Sequence, residues 1–151
     1  MIQYIDKPAF SVVGKMGSTD DGKGFIQALW ADANAHFSEV QKLAKVDAQG
    51  DFSGFWGAMT DMSHSFLPWT DGFSRGLYLA GVECTDDAEA PDGWAKWQIP
   101  GFRYAVIENK LPFTDALQAV LDAGHTLAGA VQDFNCPTNG KSYLYFPIAR
   151  L

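Results

Sequence analysis

The chain has 151 residues, enough for one domain or for two half-domains that share a core. Its formal net charge of −7 argues against nucleic acid and anionic membranes as partners, because both need clustered Lys and Arg, and it suits a neutral or cationic small ligand. With 5 Trp, 5 Tyr and 11 Phe, the chain has more ring surface than its core needs. Either some rings line a cavity or the core is unusually rich in rings.

The cysteines and histidines give no sign of a metal or redox site. Cys84 and Cys136 lack such spacing, so free thiols in a reduced, cytoplasmic protein are predicted, with a bridge between them as the alternative. His36, His64 and His125 are not clustered, so no metal is expected. No phosphate loop or dinucleotide fingerprint is present, so no cofactor is expected. No targeting leader is expected from the first residues, and no apolar run is long enough to span a bilayer.

The first half of the chain predicts a strand, a helix and a second strand. Residues 9–15 have strand composition. Residues 24–45 place apolar side chains at spacings of three and four, which predicts a helix. Asp20 or Asp21 is predicted to cap it. A second strand is predicted over residues 52–60.

A long loop, residues 62–76, then leads to the strand of residues 77–83. Loops of this length inside compact domains are often functional. Alternation places Tyr78, Ala80 and Val82 on one side of the strand, with Leu79, Gly81 and Glu83 on the other. Gly81 predicts an open spot beside Glu83, because a strand glycine often marks a ligand's approach. Glu83 is then either a solvated charge or the polar anchor of an apolar pocket.

The second half is predicted to repeat the first after an acidic, turn-rich segment (residues 85–97) and a turn at residues 99–101. The expected elements are a strand over 102–108, a helix over 112–122 with Gly124 as its C-cap, a weaker strand over 127–134 and a last strand over 143–149. Within the last strand, Pro147 predicts a sheet edge or a bulge.

The order strand, helix, strand, strand therefore occurs twice, which indicates a duplication with units of about 1–84 and 99–151. Two such units side by side predict an α+β fold. Its mainly antiparallel sheet would be curved, with both helices on one face and a cleft along the pseudo-twofold axis. Interfaces of this kind are where small-molecule sites tend to lie.

Several short patches occur in the order in which GyrI-like domains have them. These patches are Lys7–Gly14, Trp56–Gly57, Tyr78–Glu83, Pro91–Trp94, Ile99–Gly101, Tyr104–Val106 and Phe146–Ile148. The chain thus resembles a single, stand-alone GyrI-like domain over residues 1–151. Such domains are the effector-binding modules of bacterial AraC-type and MerR-type regulators such as Rob and BmrR, and they have the SHS2-type duplicated fold.

The resemblance implies a cleft that binds bulky apolar, often cationic compounds, with a buried glutamate facing the ligand's charge among aromatic rings. The position that carries over is Glu83, for which a cation would supply the partner that a buried carboxylate requires. The candidate rings are Trp30, Phe37, Phe55, Trp56, Trp69, Tyr104 and Tyr145. Trp30 and Phe37 suit a plain core equally well, and Trp69 lies in the long loop as a possible lid.

Two other functions remain open at this point. Some relatives hydrolyse strained cyclopropane rings. In that case Glu83 would act as general acid or base, with Tyr104 or Tyr145 orienting water. The family's namesake inhibits gyrase, which would make the partner a protein. The sequence shows no helix-turn-helix, so direct DNA binding is not expected, and the expected state is a monomer or a homodimer. One departure from the family concerns residues 133–136, where a longer acidic, Tyr-containing segment is usual.

Overall fold

The computed structural model describes residues 2–151 and has the predicted α+β architecture. One sheet contains β1 (Gln3–Lys7), β2 (Phe10–Ser18), β3 (Phe55–Thr60), β4 (Leu77–Cys84), β5 (Ala95–Ile99), β6 (Phe102–Glu108), β7 (Gln132–Asn135) and β8 (Ser142–Arg150). The helices are α1 (Phe25–His36) and α3 (Phe113–Asp122). The short segment between them, α2 (Thr70–Phe73), is a tight turn with positive φ at Asp71, Gly72 and Phe73. No helix within residues 2–151 has the length and apolar character needed to cross a membrane.

The strand order is β1-β6-β8-β7-β3-β4-β2-β5, and the named strand pairs are antiparallel. If β1, β2, β3 and β4 are exchanged with β5, β6, β7 and β8, the same strand order results, read from the opposite edge of the sheet. The twofold relation centres on β3 and β7, where Gly57 pairs with Asp133 and Phe55 with Asn135. α1 follows β2 as α3 follows β6, so the two helices occupy equivalent places. The order fits two β-β-α-β-β units, each with one strand more than the predicted β-α-β-β unit, while the duplication itself stays a prediction.

The two sides of the sheet have different cores. On the helix side, Tyr78, Ala80 and Val82 of β4 pack with Ala33 of α1, and residues of β6 and β8 pack with α3. The opposite side, called the inner side below, holds a second core that includes Leu79. The alternation predicted for Tyr78–Val82 is therefore confirmed, since its two sets of side chains enter different cores.

The first helix is shorter than predicted and has a different cap. α1 ends at His36 and is followed by a 3₁₀ turn, Phe37–Glu39. Asp21 does not cap it. The Asp21 carboxylate accepts a hydrogen bond from the Ser18 amide at 2.8 Å, within a separate 3₁₀ turn, Thr19–Asp21. Gly22 and Gly24 have positive φ and redirect the chain between that turn and α1.

Both edge strands, β1 and β5, were absent from the sequence prediction. β1 is largely exposed and pairs only with β6, and β5 lies partly in the segment predicted as turns and pairs with β2. β1 shows no clear hydrophobic alternation. In β5, by contrast, Ala95, Trp97 and Ile99 alternate with Lys96 and Gln98, a signal that the prediction missed because it assigned this region to turns. Each is held by backbone pairing to a strand that is distant in sequence, and local patterns do not report such pairing.

The second half follows the prediction closely. β6 has the predicted bounds, and α3 ends at the predicted Asp122, with Gly124 at a φ of 91° just beyond it. β8 lies inside the sheet, between β6 and β7, so Pro147 does not mark an edge. It marks a bulge, because Arg103 pairs with Ala149 whereas the next residue, Tyr104, pairs with Pro147. β7 is shorter than the strand predicted over 127–134. Both cysteines are free thiols, with Cys84 buried.

Gly81 does not provide the predicted open spot. It pairs with Gly14 of β2, and a methyl group on Gly81 would collide with the Val13 carbonyl oxygen. The missing side chain at Gly81 therefore serves a close approach of β2 to β4, which is the other reason for a glycine inside a strand.

The loop between β3 and β4 is organised around the Asp61 carboxylate, which is 6% exposed. It accepts hydrogen bonds from the Ser65 amide at 2.8 Å, the Leu67 amide at 3.2 Å and the Thr60 hydroxyl at 3.0 Å, and also from the Ser63 hydroxyl. Burial by itself raises the pKa of Asp61, but these hydrogen bonds outweigh it and lower the pKa to about 2.

Replacing Asp61 with Asn is expected to lower the free energy of unfolding at pH 7. It is also expected to make this free energy depend less on pH between 4 and 2. The folded pKa of Asp61 lies below the unfolded value of about 3.9, so its stabilisation is complete above pH 4 and disappears as the pH falls towards 2. Urea unfolding of both proteins between pH 2 and 7 checks this. A difference that is the same at every pH would contradict it.

Candidate functional site

A solvent-open cleft of about 590 Å³ lies on the helix side, between α1 and the central strands β3 and β7. Its apolar lining includes Trp30 of α1, Phe55 of β3 and Tyr78 of β4, and its acidic residue is Asp133 of β7. It is called the Asp133 cleft below. The cleft lies beside the β3–β7 pair at the centre of the strand order, where the sequence predicted a ligand site.

Gly57 creates the space in which the polar groups of the cleft meet. It pairs with Asp133, and a Cβ atom on Gly57 would collide with the Tyr78 hydroxyl and lie 3.3 Å from the Asp133 Cβ. The Trp30 indole donates a hydrogen bond to the Tyr78 hydroxyl at 2.9 Å. This bond joins α1 to β4 and fixes one wall of the cleft.

Asp133 is the unusual group in this cleft. Its Oδ1 atom is buried and has no hydrogen-bond partner among residues 2–151. Burial raises the pKa of Asp133 to about 6. The pKa of Tyr78 is also raised, mainly by burial and further by the Asp133 charge, although the Trp30 hydrogen bond acts in the opposite direction. The charge of an ionised Asp133 is therefore poorly compensated within residues 2–151.

A smaller, apolar cavity of about 150 Å³ also includes Ile26 of α1 in its lining. Trp69 and Phe73 of the long loop contribute to its wall, as does Phe113 of α3. The Trp69 indole donates to the Leu77 carbonyl at 3.0 Å, and the Phe73 and Phe113 ring centroids are 5.3 Å apart. Because Ile26 lines both spaces, the apolar cavity adjoins the Asp133 cleft.

The predicted aromatic residues divide between the two sides of the sheet. Trp30 and Phe55 line the Asp133 cleft, and Trp69 lines the apolar cavity. Phe37 is buried on the same side of the sheet. Its ring centroid lies 5.4 Å from that of Phe55 and 6.0 Å from that of Trp94, which is the contact pattern of a core residue. On the helix side, the structure thus brings three of the predicted rings to the two cavities.

The other predicted residues, Glu83, Trp56, Tyr104 and Tyr145, lie on the inner side. The Tyr145 ring centroid is 5.1 Å from that of Trp56 and 5.2 Å from that of Tyr104. Burial raises the pKa of both tyrosines. The sheet separates these rings from Trp30 and Phe55, so the predicted residues do not form one site.

Glu83 already has two cationic partners. Its carboxylate is 13% exposed and lies 3.1 Å from the Lys7 ammonium and 3.3 Å from the Lys45 ammonium. The Lys7 ammonium also lies 4.3 Å from the centroid of the Phe10 ring. Glu83 therefore does not need a ligand to neutralise it. Its role as a ligand anchor stays a prediction.

The sequence prediction did not select Asp133 or Tyr78 as site residues. Tyr78 was assigned to the correct side of β4, and Asp133 lies in the short segment that departs from the family pattern. The available signal was the combination of an acidic residue inside a weak strand with a glycine, Gly57, in the strand that pairs with it. Only the β3–β7 pairing makes that combination visible.

No family model matches the sequence, and a search of curated proteins finds no match. The fold, however, is similar to solved structures. SAV2435 bound to tetraphenylphosphonium aligns with 98% of this chain and 93% of its own, at 15% identity and a TM-score of 0.59. The EcmrR C-terminal domain aligns with 100% of this chain and 98% of its own, at 11% identity and a TM-score of 0.66. A hydrolase from Listeria innocua aligns with 98% of this chain and 91% of its own, at 14% identity and a TM-score of 0.53.

These similarities establish the fold. Both full-coverage alignments, to SAV2435 and to the EcmrR domain, extend over nearly the whole chain, so residues 2–151 have the architecture of these domains. The fold implied by the resemblance to GyrI-like domains is confirmed.

Proposed function

We propose that the protein binds bulky apolar organic cations in the Asp133 cleft. The observation that carries this proposal is Asp133, which lines a cleft with aromatic walls and whose buried Oδ1 atom lacks a hydrogen-bond partner in the described part of the chain. A buried carboxylate without a partner is costly, and a cation that enters the cleft offsets part of that cost through its charge.

The aromatic walls favour the same kind of ligand. Trp30, Phe55 and Tyr78 offer apolar area to a bulky ligand and ring faces to its charge. A cation over an aromatic face gains about 0.5–2 kcal/mol, with the larger values in desolvated sites. The cleft volume of about 590 Å³ lies within the usual range for small-molecule sites, roughly 300–1,000 Å³.

One structural neighbour supports the choice of ligand class. The structure of SAV2435 contains tetraphenylphosphonium, which is a bulky apolar cation. In our proposal, Asp133 takes the place that the sequence prediction gave to the buried glutamate, Glu83. Glu83 remains the competing anchor, and variants of the two residues separate the possibilities.

Tetraphenylphosphonium and rhodamine 6G are expected to raise the melting temperature of the protein, whereas neutral triphenylphosphine oxide is not. A ligand present at about 100 times its Kd stabilises a folded protein by about 2.7 kcal/mol. For a domain of this size that corresponds to about 5–10 °C. Thermal unfolding at pH 7.5 with increasing ligand is the measurement. Equal shifts with the neutral compound, or no shift with either cation, would contradict the proposal.

A second candidate function is hydrolysis of a reactive electrophile. The pKa of about 6 suits Asp133 as a proton donor or acceptor near neutral pH, and the Listeria innocua neighbour is described as a hydrolase. Turnover of a cyclopropane-bearing electrophile, followed by mass spectrometry and lost on Asp133→Asn, would favour this function. Loss of turnover on Glu83→Gln alone would instead favour the inner side.

A further inference from the structure

We propose that the Asp133 cleft selects cations that carry N–H bonds, such as a primary ammonium group attached to an aryl body, over quaternary onium ions. This inference rests on the proposed function and specifies its ligand class. It follows from the hydrogen-bonding groups around the cleft, which a quaternary ion leaves unused.

The first argument is the state of the Asp133 carboxylate. Its buried Oδ1 lacks a hydrogen-bond donor within residues 2–151. In this proposal, an ammonium N–H in the cleft donates to the Asp133 carboxylate at about 2.7–2.9 Å between heavy atoms, after a small rotation of the side chain exposes the unpaired oxygen. The substituents of a quaternary ion hold its charged centre farther from the oxygen and supply no donor, so the attraction is weaker and the oxygen stays unsatisfied.

The second argument is the set of carboxamides in the same lining. Gln27 and Asn34 are seven residues apart on α1, so they lie on one face of the helix with Trp30 between them. Asn135 lies two residues after Asp133 and on the same side of β7. Each carboxamide oxygen is an acceptor for an additional ligand N–H. Three such acceptors beside one carboxylate match a cation that has several N–H bonds.

The third argument concerns the apolar part of the ligand. The cavity beneath Trp69 has a volume of about 150 Å³ and shares Ile26 with the Asp133 cleft. A dry apolar cavity of about that volume is large enough for one benzene ring. In this proposal, a ligand with its ammonium group at Asp133 displaces the Ile26 side chain and places an attached ring in the adjoining cavity, against Met59 and Phe113.

Two matched compounds test this inference: 4-phenylbenzylamine and its N,N,N-trimethyl derivative, titrated into the full chain at pH 7.5 by calorimetry. The primary ammonium compound is expected to bind at least tenfold more tightly, since one charge-assisted hydrogen bond corresponds to about tenfold to a hundredfold in affinity. Equal affinities, or tighter binding of the trimethyl compound, would overturn the inference but leave the proposed function standing. If neither compound binds, the inference is wrong, and the tetraphenylphosphonium experiment decides the proposed function separately.

Variants of single residues locate the effect. Asp133→Asn is expected to abolish the preference between the two compounds. Asn34→Ala is expected to weaken binding of the primary ammonium compound by about twofold to tenfold and to leave binding of the trimethyl compound unchanged. Gln118→Ala removes a carboxamide from the exposed surface of α3 and is the matched control, with no expected effect. A preference that survives in Asp133→Asn would overturn the assignment.

Discussion

Asp133→Asn is expected to weaken rhodamine 6G binding by about tenfold to a hundredfold. Two unit charges about 5 Å apart attract by about 3 kcal/mol at an effective dielectric constant of about 20, and the cost of desolvating the pair offsets part of this. The substitution removes the charge at Asp133 and keeps nearly the same side-chain volume. The Trp30 indole in the adjacent wall donates to the Tyr78 hydroxyl and not to Asp133. Fluorescence anisotropy of rhodamine 6G at pH 7.5 measures the change.

Glu83→Gln is the control for that experiment, because it removes a carboxylate from the inner side of the same sheet. It leaves Lys7 and Lys45 without their shared partner but does not alter the Asp133 cleft. We expect nearly unchanged ligand affinity in this variant. If Glu83→Gln loses binding and Asp133→Asn retains it, the ligand site is on the inner side and our placement of it is wrong.

As the pH rises from 4 to 7.5, the stability of the free Asp133→Asn variant relative to the wild-type protein is expected to increase by roughly 3 kcal/mol. Burial raises the pKa of Asp133 from about 3.8 to about 6, which corresponds to about 3 kcal/mol. Below pH 4, the carboxyl group is protonated in both folded and unfolded states, so it has no differential effect. As the pH rises from 4 to 6, the unfolded chain releases this proton first, and the wild-type protein loses stability.

Urea unfolding of wild-type protein and Asp133→Asn between pH 4 and 8 measures this gain. Asp61 does not interfere, because its pKa of about 2 keeps it ionised in the folded protein across this range. Ligand affinity is expected to increase over the same interval, because a cation binds the ionised form of Asp133. A stabilisation that is constant from pH 4 to 8 would show that Asp133 does not titrate as proposed.

The weaker ligand binding and the gain in relative stability with pH expected for Asp133→Asn have one physical origin. A carboxylate held without a partner lowers the stability of the free protein, and a ligand with a positive charge recovers that energy on binding. Functional sites commonly carry such a cost. Glu83 shows the contrasting arrangement, in which two lysines satisfy the carboxylate before any ligand arrives.

The sequence by itself determined the elements whose signals are local. β6 and the end of α3 were predicted to the residue, because periodicity and flanking Pro and Gly signals occur within a few residues of each boundary. The alternation along Tyr78–Glu83 was also correct, since successive side chains of a strand must point to opposite sides. The missing backbone donor of Pro147 limited that position to a sheet edge or a bulge, and the strand order then decided for the bulge.

Only the tertiary structure decided which side chains share a site. Glu83 meets Lys7 and Lys45 across 76 and 38 residues of sequence, and Asp133 reaches Gly57 and Tyr78 through the pairing of β3 with β7. Hydrophobic patterns report that a carboxylate lies in a strand but not what stands opposite it. Whether Glu83 or Asp133 is left without a partner depends on the register and curvature of the whole sheet, which join residues far apart in the chain.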